Sequence, residues 1–231
     1  LNGADLQWVG SVIDRQANQL VRLVDDLLDI SRITSGKIRL NFQVMDVMRA
    51  VHQAVEASQP LIESRNHRLL LVAPTDPVWI HGDLARMTQV LTNLLNNAAK
   101  YSEDGSQIQL CVQVEGSRCI LSVRDSGIGI APEMLRSVFD LFTQAEQTLD
   151  RSQGGLGIGL TMVRKLVEMH EGSVIAESGG IGHGSAFHVS LPICGSVETT
   201  ADPPSEMLLD SQNQRHLEIL VVDDNADAAD T

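Results

Sequence analysis

Polar side chains and a tyrosine recur on one face of a helix predicted over Asp83–Tyr101. Asn93, Asn97, Lys100 and Tyr101 are separated by four, three and one residues, so they share a helical face. The amide oxygens of two asparagines one turn apart suit a hard cation that keeps most of its waters and is shared with phosphates. Lys100 offers a point charge to a phosphate, and Tyr101 offers a ring that can pack on a nucleobase. The alternative is a plain polar outer face, although asparagine disfavours helix formation.

A second candidate feature lies at the end of a strand predicted over Cys119–Asp125, where the sequence continues Ser-Gly-Ile-Gly. The carboxylate of Asp125 can accept a hydrogen bond from an exocyclic amine, which would select adenine. Gly127 and Gly129 would let the backbone approach a flat ring, because glycine carries no side chain. An ordinary strand-to-turn connection is the alternative.

A third feature is a glycine-rich run, with Gly155, Gly157 and Gly159 shortly before a helix that starts near Thr161. Free amides at a helix N-terminus bind anions, and glycines keep side chains out of the path of phosphates. The preceding polar stretch, Gln144–Gln153, is long enough to form a lid. A hinge without a ligand is the alternative. The chain has neither a GxxxxGK[ST] loop nor a GxGxxG run after a strand, so a nucleotide site must be built in another way.

Composition narrows the function classes. The 231 residues carry a formal net charge of −13 and are 43% hydrophobic. Residues 195–231 contain nine acidic residues and one basic residue, a net charge of −8, and no basic stripe suggests nucleic acid or an anionic membrane. No apolar run reaches the roughly 20 residues that span a bilayer, and no signal peptide is present. Cys111, Cys119 and Cys194 lack metal-site spacing, and we expect Cys111 and Cys119 to be buried thiols in a reducing cytosol.

The first segment carries a heptad repeat that predicts a long helix. One seam position is occupied by Leu6, Ile13, Leu20 and Leu27, and the other by Val9, Gln16, Leu23 and Ile30. Val24 and Leu28 widen the apolar stripe, which favours a four-helix bundle over a two-stranded seam. A single helix cannot bury this face, so we expect a partner helix and a second chain. A terminal helix that packs on its own domain is the alternative.

The rest of the chain mixes strands and helices without regular βαβ alternation. The patterns predict strands at Lys37–Phe42, His67–Val72, Val78–His81, Gln107–Val114, Cys119–Asp125, Ser173–Glu177 and Ser185–Leu191. They predict helices at Val47–Ser64, Asp83–Tyr101, Pro132–Phe139 and from Thr161 through Met169. The expected fold class is α+β, a two-layer sandwich with helices on one face of a mixed sheet. Residues 195–215 are predicted to be a linker, followed by a strand at His216–Val222 that ends in an acidic pair.

Together and in this order, the motifs resemble a known family. RMTQVLTNLLNNAAKYS, DSGIGI, FDLF and GGLGIGL are similar to the Asn box, first glycine box, Phe box and second glycine box of bacterial sensor histidine kinases. The resemblance covers nearly the whole chain, because residues 12–40 resemble the second helix of the dimerisation and phosphotransfer bundle. HLEILVVDDNAD resembles the first strand of a receiver domain, so the parent protein resembles a hybrid kinase.

The resemblance implies ATP and Mg²⁺ as cofactors, with Asn97 and Asn93 on the metal and Asp125 on the adenine amine. Lys100 should touch phosphate, and Tyr101 the base. The glycines of both boxes, together with the residues that open the following helix, should line the pocket: Gly127, Gly129, Gly155, Leu156, Gly157, Gly159, Leu160 and Thr161. Phe139 and Phe142 match the Phe box and should pack under the lid. Glu171 stands where such kinases usually have glycine, and this departure should leave the pocket intact.

The resemblance also implies a domain order: bundle helix 1–36, catalytic domain 37–194, linker 195–215 and the start of a receiver 216–231. Asp223 and Asp224 would bind the receiver's Mg²⁺ in an incomplete site. No histidine has the neighbours of a phosphoryl acceptor, so we expect that acceptor upstream of Leu1. The expected partners are a second copy, through the bundle helix, and a receiver domain or response regulator. The implied function is ATP-dependent histidine phosphorylation in a cytoplasmic phosphorelay. The alternative is an ATP-binding dimerisation module or an ATPase of the wider gyrase and Hsp90-like family.

Overall fold

The structure, a computed structural model, describes residues 39–143 and 157–194, together with Ala17, Val24 and Leu28. All of them belong to one compact unit, Leu1–Ser196. The helices are α1 (Val47–Ser64), α2 (Leu84–Tyr101) and α3 (Gly159–Met169). The strands are β1 (Gln43–Asp46), β2 (Arg68–Val72), β3 (Trp79–Gly82), β4 (Gln107–Glu115), β5 (Arg118–Asp125), β6 (Ser173–Glu177) and β7 (Ser185–Pro192).

Five of the strands form a mixed sheet in the order β2-β4-β5-β7-β6. The β2–β4 pair is parallel, and the other three pairs are antiparallel. Helices α2 and α3 pack on one face of this sheet, and α1 packs beside α2. The expected two-layer α+β sandwich is therefore confirmed, with one sheet face covered and the other open.

Alternation along the strands builds the core between sheet and helices. Each central strand sends every second side chain toward the helices, and these side chains are buried: Ile108, Leu110, Val112, Cys119, Leu121, Val123, Phe187, Val189 and Leu191. Helix α2 packs against these side chains through the buried apolar stripe predicted from its sequence: Val90, Leu91, Leu94, Leu95 and Ala98. The polar residues of α2 are consequently turned away from the sheet.

The two strand cysteines lie on opposite faces of the sheet. Cys119 is fully buried as predicted, and burial raises the pKa of its thiol to about 12. The prediction of a buried Cys111 is wrong, because its register with Ser122 places it on the open face, where it is half-buried.

Strands β1 and β3 form a separate antiparallel pair that leads into α1 and α2. Asp46 caps α1 by accepting a hydrogen bond from the Met48 N–H (3.1 Å). Ile80 makes an isolated bridge to Ile193, which joins the pair to the end of β7. Asp83 follows β3 directly and starts α2.

Two predicted elements are wrong within the described residues. Residues 39–42 form no strand, and the strand lies at Gln43–Asp46 instead. There, burial of Met45 and the capping role of Asp46 set the register. The predicted helix at Pro132–Phe139 is a series of turns, closed by hydrogen bonds such as Ser137 N–H to Met134 O (3.0 Å). A segment this short forms too few helical hydrogen bonds to offset the unfavourable free energy of helix nucleation.

The predicted heptad helix lies mostly outside the described residues. Ala17, Val24 and Leu28 are helical and exposed. Of the residues that the structure describes, none belongs to a helix with both the length and the apolar character needed to cross a bilayer.

We expect Leu94→Ala to destabilise the fold much more than Leu70→Ala. Leu94 is completely buried in α2, whereas Leu70 is 42% exposed on the open face. A buried leucine truncated to alanine costs about 2–5 kcal/mol, because it loses burial and leaves a cavity. The Leu70 change should cost about 0.5 kcal/mol or less. Urea unfolding followed by circular dichroism measures both, and equal losses would contradict the assigned core.

Candidate functional site

The polar face of α2 forms one wall of the candidate site. Asp83 caps the helix, since its Oδ1 accepts a hydrogen bond from the Arg86 N–H (3.1 Å). Asn93, Asn97 and Lys100 are half-buried on the side opposite the apolar stripe. The structure therefore places these side chains on one partly sheltered surface.

Lys100 and Tyr101 lie together at the end of this face, with Lys100 Nζ 5.0 Å from the centroid of the Tyr101 ring. Burial, and then the neighbouring Arg65 guanidinium, lower the pKa of Lys100. Burial raises the pKa of Tyr101, so its phenol stays neutral at physiological pH. A lysine that is partly withdrawn from water beside another cation gains more from an approaching anion than an exposed lysine does.

The last turn of α2 is held by side chains that reach it from the end of α1. His67 Nε2 donates to the carbonyl of Ala99 (2.9 Å), and Arg65 Nη1 donates to the carbonyl of Lys100 (3.2 Å). The other ring nitrogen of His67 contacts Ser106 Oγ (3.0 Å). These bonds satisfy carbonyls that a helix end leaves without intrahelical partners. Arg65 and His67 were not predicted from the sequence, because their partners are more than 30 positions away in the chain.

The loop after β5 is joined directly to this helix end. The Ile128 N–H donates to the carbonyl of Tyr101 (3.0 Å). A Cβ atom on Gly127 would lie 2.3 Å from the same oxygen, closer than real contacts allow. Gly129 has a φ of +71°, and a Cβ there would lie 2.1 Å from Gly180 O. Both glycines are therefore required by the packing of the loop itself, whatever ligand they face.

Asp125 is buried at the end of β5 and organises the loop. Its Oδ1 accepts from the N–H groups of Gly127 (2.8 Å) and Ser185 (3.2 Å), and its Oδ2 accepts from Ser185 Oγ (2.5 Å). A carboxylate offers about four acceptor positions, so one remains for a ligand amine. Ser185 was not predicted as a site residue. It lies beside Asp125 because the β5–β7 register pairs the two residues.

The start of α3 closes the other side of the site. Gly157 has a φ of +71°, and the cap residue Ile158 makes no side-chain hydrogen bond to the helix. The first amides of α3 thus keep their hydrogen-bonding capacity for an anion. Thr161 Oγ1 is buried without a hydrogen-bond partner, which is costly unless a ligand supplies one. A Cβ on Gly159 would lie 3.4 Å from Asn93 Oδ1, so α3 begins beside the polar face of α2.

The sequence model of the histidine kinase-, DNA gyrase B-, and HSP90-like ATPase family matches residues 82–194. These residues form an ATPase domain of that family. The match contains the polar face of α2, the Asp125 loop and the start of α3.

Similar proteins are histidine kinases. The chain is 36% identical to hybrid signal transduction histidine kinase L of Dictyostelium discoideum, over 76% of this chain and 11% of that protein. It is 32% identical to the circadian input-output histidine kinase CikA of Synechococcus elongatus, over 96% of this chain and 30% of that protein. The chain thus spans less than a third of the length of either relative. Full-length ShkA, solved in complex with AMPPNP, superposes with a TM-score of 0.70 at 25% identity, covering 85% of this chain and 40% of ShkA.

Not every predicted site residue is described. Gly155, Leu156, Asp223 and Asp224 lie outside the described residues, so their roles stay predictions. Leu160 is half-buried in the first turn of α3. Among the described residues, no group of three or more His, Cys, Asp or Glu side chains could hold a metal ion. The metal-binding roles of Asn93 and Asn97 stay predictions.

The two Phe-box residues of the ATPase domain differ in environment. Phe139 is buried and meets Phe187 edge to face, with ring centroids 6.2 Å apart. Phe142 is 63% exposed and has a φ of +63°, an uncommon conformation for a bulky residue. The predicted lid (residues 144–153) lies outside the described residues, so packing beneath it stays a prediction.

We expect Gly127→Ala to weaken nucleotide binding and to destabilise the domain by about 1–3 kcal/mol, because the added methyl collides with the Tyr101 carbonyl. Gly116→Ala is the control. Gly116 also has a positive φ (+58°), but a Cβ there meets nothing within 4 Å, so the change strains only a distant hairpin turn. Thermal unfolding and binding of a fluorescent ATP analogue measure both effects. Wild-type affinity in Gly127→Ala would contradict the required close approach.

Proposed function

We propose that this chain is the catalytic region of a hybrid sensor histidine kinase, which binds Mg²⁺-ATP and delivers its γ-phosphoryl group to a histidine on a phosphotransfer helix. The observation that carries the proposal is the placement of α3. Its N-terminus, which has no side-chain cap, begins at Gly159 beside Asn93 on the polar face of α2, and its first turn carries the unpartnered hydroxyl of Thr161. An anion-binding helix end beside amide oxygens is what a metal-bound triphosphate requires.

At the base end of the site, Asp125 selects adenine. Three of its acceptor positions are used by Gly127 and Ser185, which hold the carboxylate at a fixed position. The remaining lone pair accepts a hydrogen bond from the exocyclic amine of adenine, which a guanine lacks at the same position. Tyr101, neutral because burial raises its pKa, packs against the base from α2.

At the phosphate end, Lys100 and the first amides of α3 neutralise and orient the phosphates. Asn93 and Asn97 would hold Mg²⁺ by their amide oxygens. Mg²⁺, when bound, neutralises charge on the phosphate oxygens during phosphoryl transfer. Catalysis of such a transfer is mostly positioning and electrostatic stabilisation, and these side chains supply both.

Two buried histidines are unsuited to receive the phosphoryl group. His67 and His170 are 8% and 2% exposed, and both ring nitrogens of each are engaged. Phosphorylation of either would break buried hydrogen bonds. Neither is therefore the acceptor, which we place on a separate phosphotransfer helix, reached by dimerisation through the heptad segment. In the same scheme, residues 216–231 begin a receiver whose Asp223 and Asp224 bind Mg²⁺.

The test is transfer in trans. We expect the purified chain to bind Mg²⁺-ATP without phosphorylating itself, and to phosphorylate a separately supplied sensor-kinase bundle that carries the acceptor histidine. Asn97→Asp should abolish transfer, because it replaces a neutral metal ligand with a charge that repels the phosphates. Gln113→Glu makes the same amide-to-carboxylate change at an exposed site on the sheet and should transfer normally. ATP hydrolysis with no phosphorylated bundle would instead favour the ATPase alternative.

We expect Thr161→Val to move stability and nucleotide affinity in opposite directions. Valine has nearly the shape of threonine, and it removes a buried hydroxyl that has no partner. The free energy of unfolding without ligand should therefore stay equal or rise by about 1 kcal/mol. Affinity for Mg²⁺-ATP should fall, because the hydroxyl no longer meets the phosphates. Calorimetric titration and urea unfolding check the two signs, and unchanged affinity would remove Thr161 from the site.

A further inference from the structure

A buried histidine joins the end of α3 to the start of α2, far from the nucleotide face. His170 is 2% exposed. Its Nδ1 lies 2.7 Å from the carbonyl of Leu166, and its Nε2 accepts a hydrogen bond from the Asp83 N–H (3.0 Å). A carbonyl can only accept and an amide N–H can only donate, so both bonds require a neutral imidazole with its proton on Nδ1. A Cβ on Gly82 would lie 3.1 Å from His170 Cδ2, so the ring fits closely against the backbone.

The partner of His170 also holds the chain that arrives from the first segment. Asp83 Oδ2 accepts from the Asn41 N–H (2.9 Å), while Oδ1 caps α2. The next residue, Phe42, stacks on His81 with ring centroids 5.0 Å apart and lies 5.2 Å from the His170 ring. Asn41, Phe42, Asp83 and His170 thus form one cluster, here named the His170 junction.

Helices α2 and α3 connect this junction to the nucleotide face. At one end of the pair, His170 contacts Asp83; at the other end, Gly159 lies beside Asn93. The two helices therefore run antiparallel, and eleven residues of α3 separate the two ends by about 16 Å at the usual helical rise. Packed helices move as rigid units, so a shift at the junction changes the spacing of Asn93 and the α3 amides.

We propose that His170 is a positioning residue that couples the incoming segment at Asn41–Phe42 to the nucleotide site, by fixing the start of α2 against the end of α3. The inference rests on the proposed binding of Mg²⁺-ATP and adds a route by which the preceding segment acts on it. Loss of the Asp83–His170 bond leaves a buried N–H without a partner and frees the two helix ends from each other.

Protonation of His170 breaks the same bond. Burial lowers the pKa of His170, the Leu166 carbonyl and Asp83 oppose this shift, and His81 adds to it. Asp83 and His81 are the titratable groups that act on the ring. The pKa of His170 is lower in the folded state than in the unfolded state. Its contribution to the stability of the fold is therefore present above about pH 6.5, the ordinary histidine value, and is lost as the pH falls through the lowered pKa.

The experiment measures affinity of the full chain for a fluorescent ATP analogue with Mg²⁺, between about pH 5 and pH 8. His170→Leu removes the acceptor and should weaken binding at neutral pH by about fivefold or more, the lower range of coupling between sites. His170→Gln keeps an acceptor for the Asp83 N–H and should restore affinity to within about twofold of wild type. The Leu166 carbonyl keeps a hydrogen-bond donor in this variant, because it also accepts from the backbone N–H of His170. His52→Leu, on the exposed face of α1, is the matched control and should bind as wild type does.

The pH profile separates positioning from mere stability. Wild-type affinity should fall at acid pH, and the part of this fall that is due to His170 should be missing in His170→Gln, which cannot titrate. Phe42→Ala should weaken binding less than additively with His170→Leu, since both act through one junction.

Two failures are distinguishable. No nucleotide binding by the wild type at any pH would reject the proposed function itself. Normal binding with identical pH profiles for wild type and His170→Gln would overturn the coupling and leave the proposed function standing. That comparison decides the question even if His170→Leu does not fold.

Discussion

The carbonyl of Tyr101, at the last residue of α2, accepts a hydrogen bond from the Ile128 N–H of the loop after β5. This contact brings the Asp125 carboxylate and the polar face of α2 into one candidate site, although they are more than 20 positions apart in the chain. It is possible only because Gly127 has no Cβ, since a methyl there would overlap the carbonyl oxygen. The position of two other candidate ligand groups depends on this contact. Asp125 is held by the same loop, and Lys100 precedes Tyr101 on the helix.

The site carries several groups whose free energy is unfavourable without a ligand. Lys100 is partly desolvated beside Arg65, the first turn of α3 has no side-chain cap, and the Thr161 hydroxyl is buried alone. On an ordinary protein surface, water or a nearby polar side chain would solvate or hydrogen-bond each of these groups. Their occurrence around the candidate site supports the proposed binding of an anion, because each cost would be recovered when phosphate oxygens bind.

The sequence predicts most of the elements, because their patterns are strong and local. The α2 stripe and its polar face follow from helical spacing, and β6 follows from its bounded apolar run. The failures are equally physical. The backbone hydrogen bonds of the turns at 132–139 join residues three positions apart, as in isolated turns. The position of β1 is set by the burial of Met45 and by the helix cap that Asp46 makes. Arg65, His67 and Ser185 were missed because each acts across a tertiary contact that no local spacing encodes. The roles of Gly155 and Leu156 remain predictions.

A pocket of this kind binds ATP without determining what happens to it, since one family contains kinases, gyrases and Hsp90-like ATPases. The outcome depends on what meets the γ-phosphoryl group. Among the described residues two histidines are buried, and both bond to the ends of a helix, His67 to the end of α2 and His170 to its start. Their ring nitrogens are already engaged in hydrogen bonds, so neither is suited to receive that group. Transfer to a group delivered from outside depends on the angle and distance of approach. If the proposed coupling holds, the attachment of the incoming segment to the start of α2, through Asn41 and Asp83, would influence that approach together with the ligand groups.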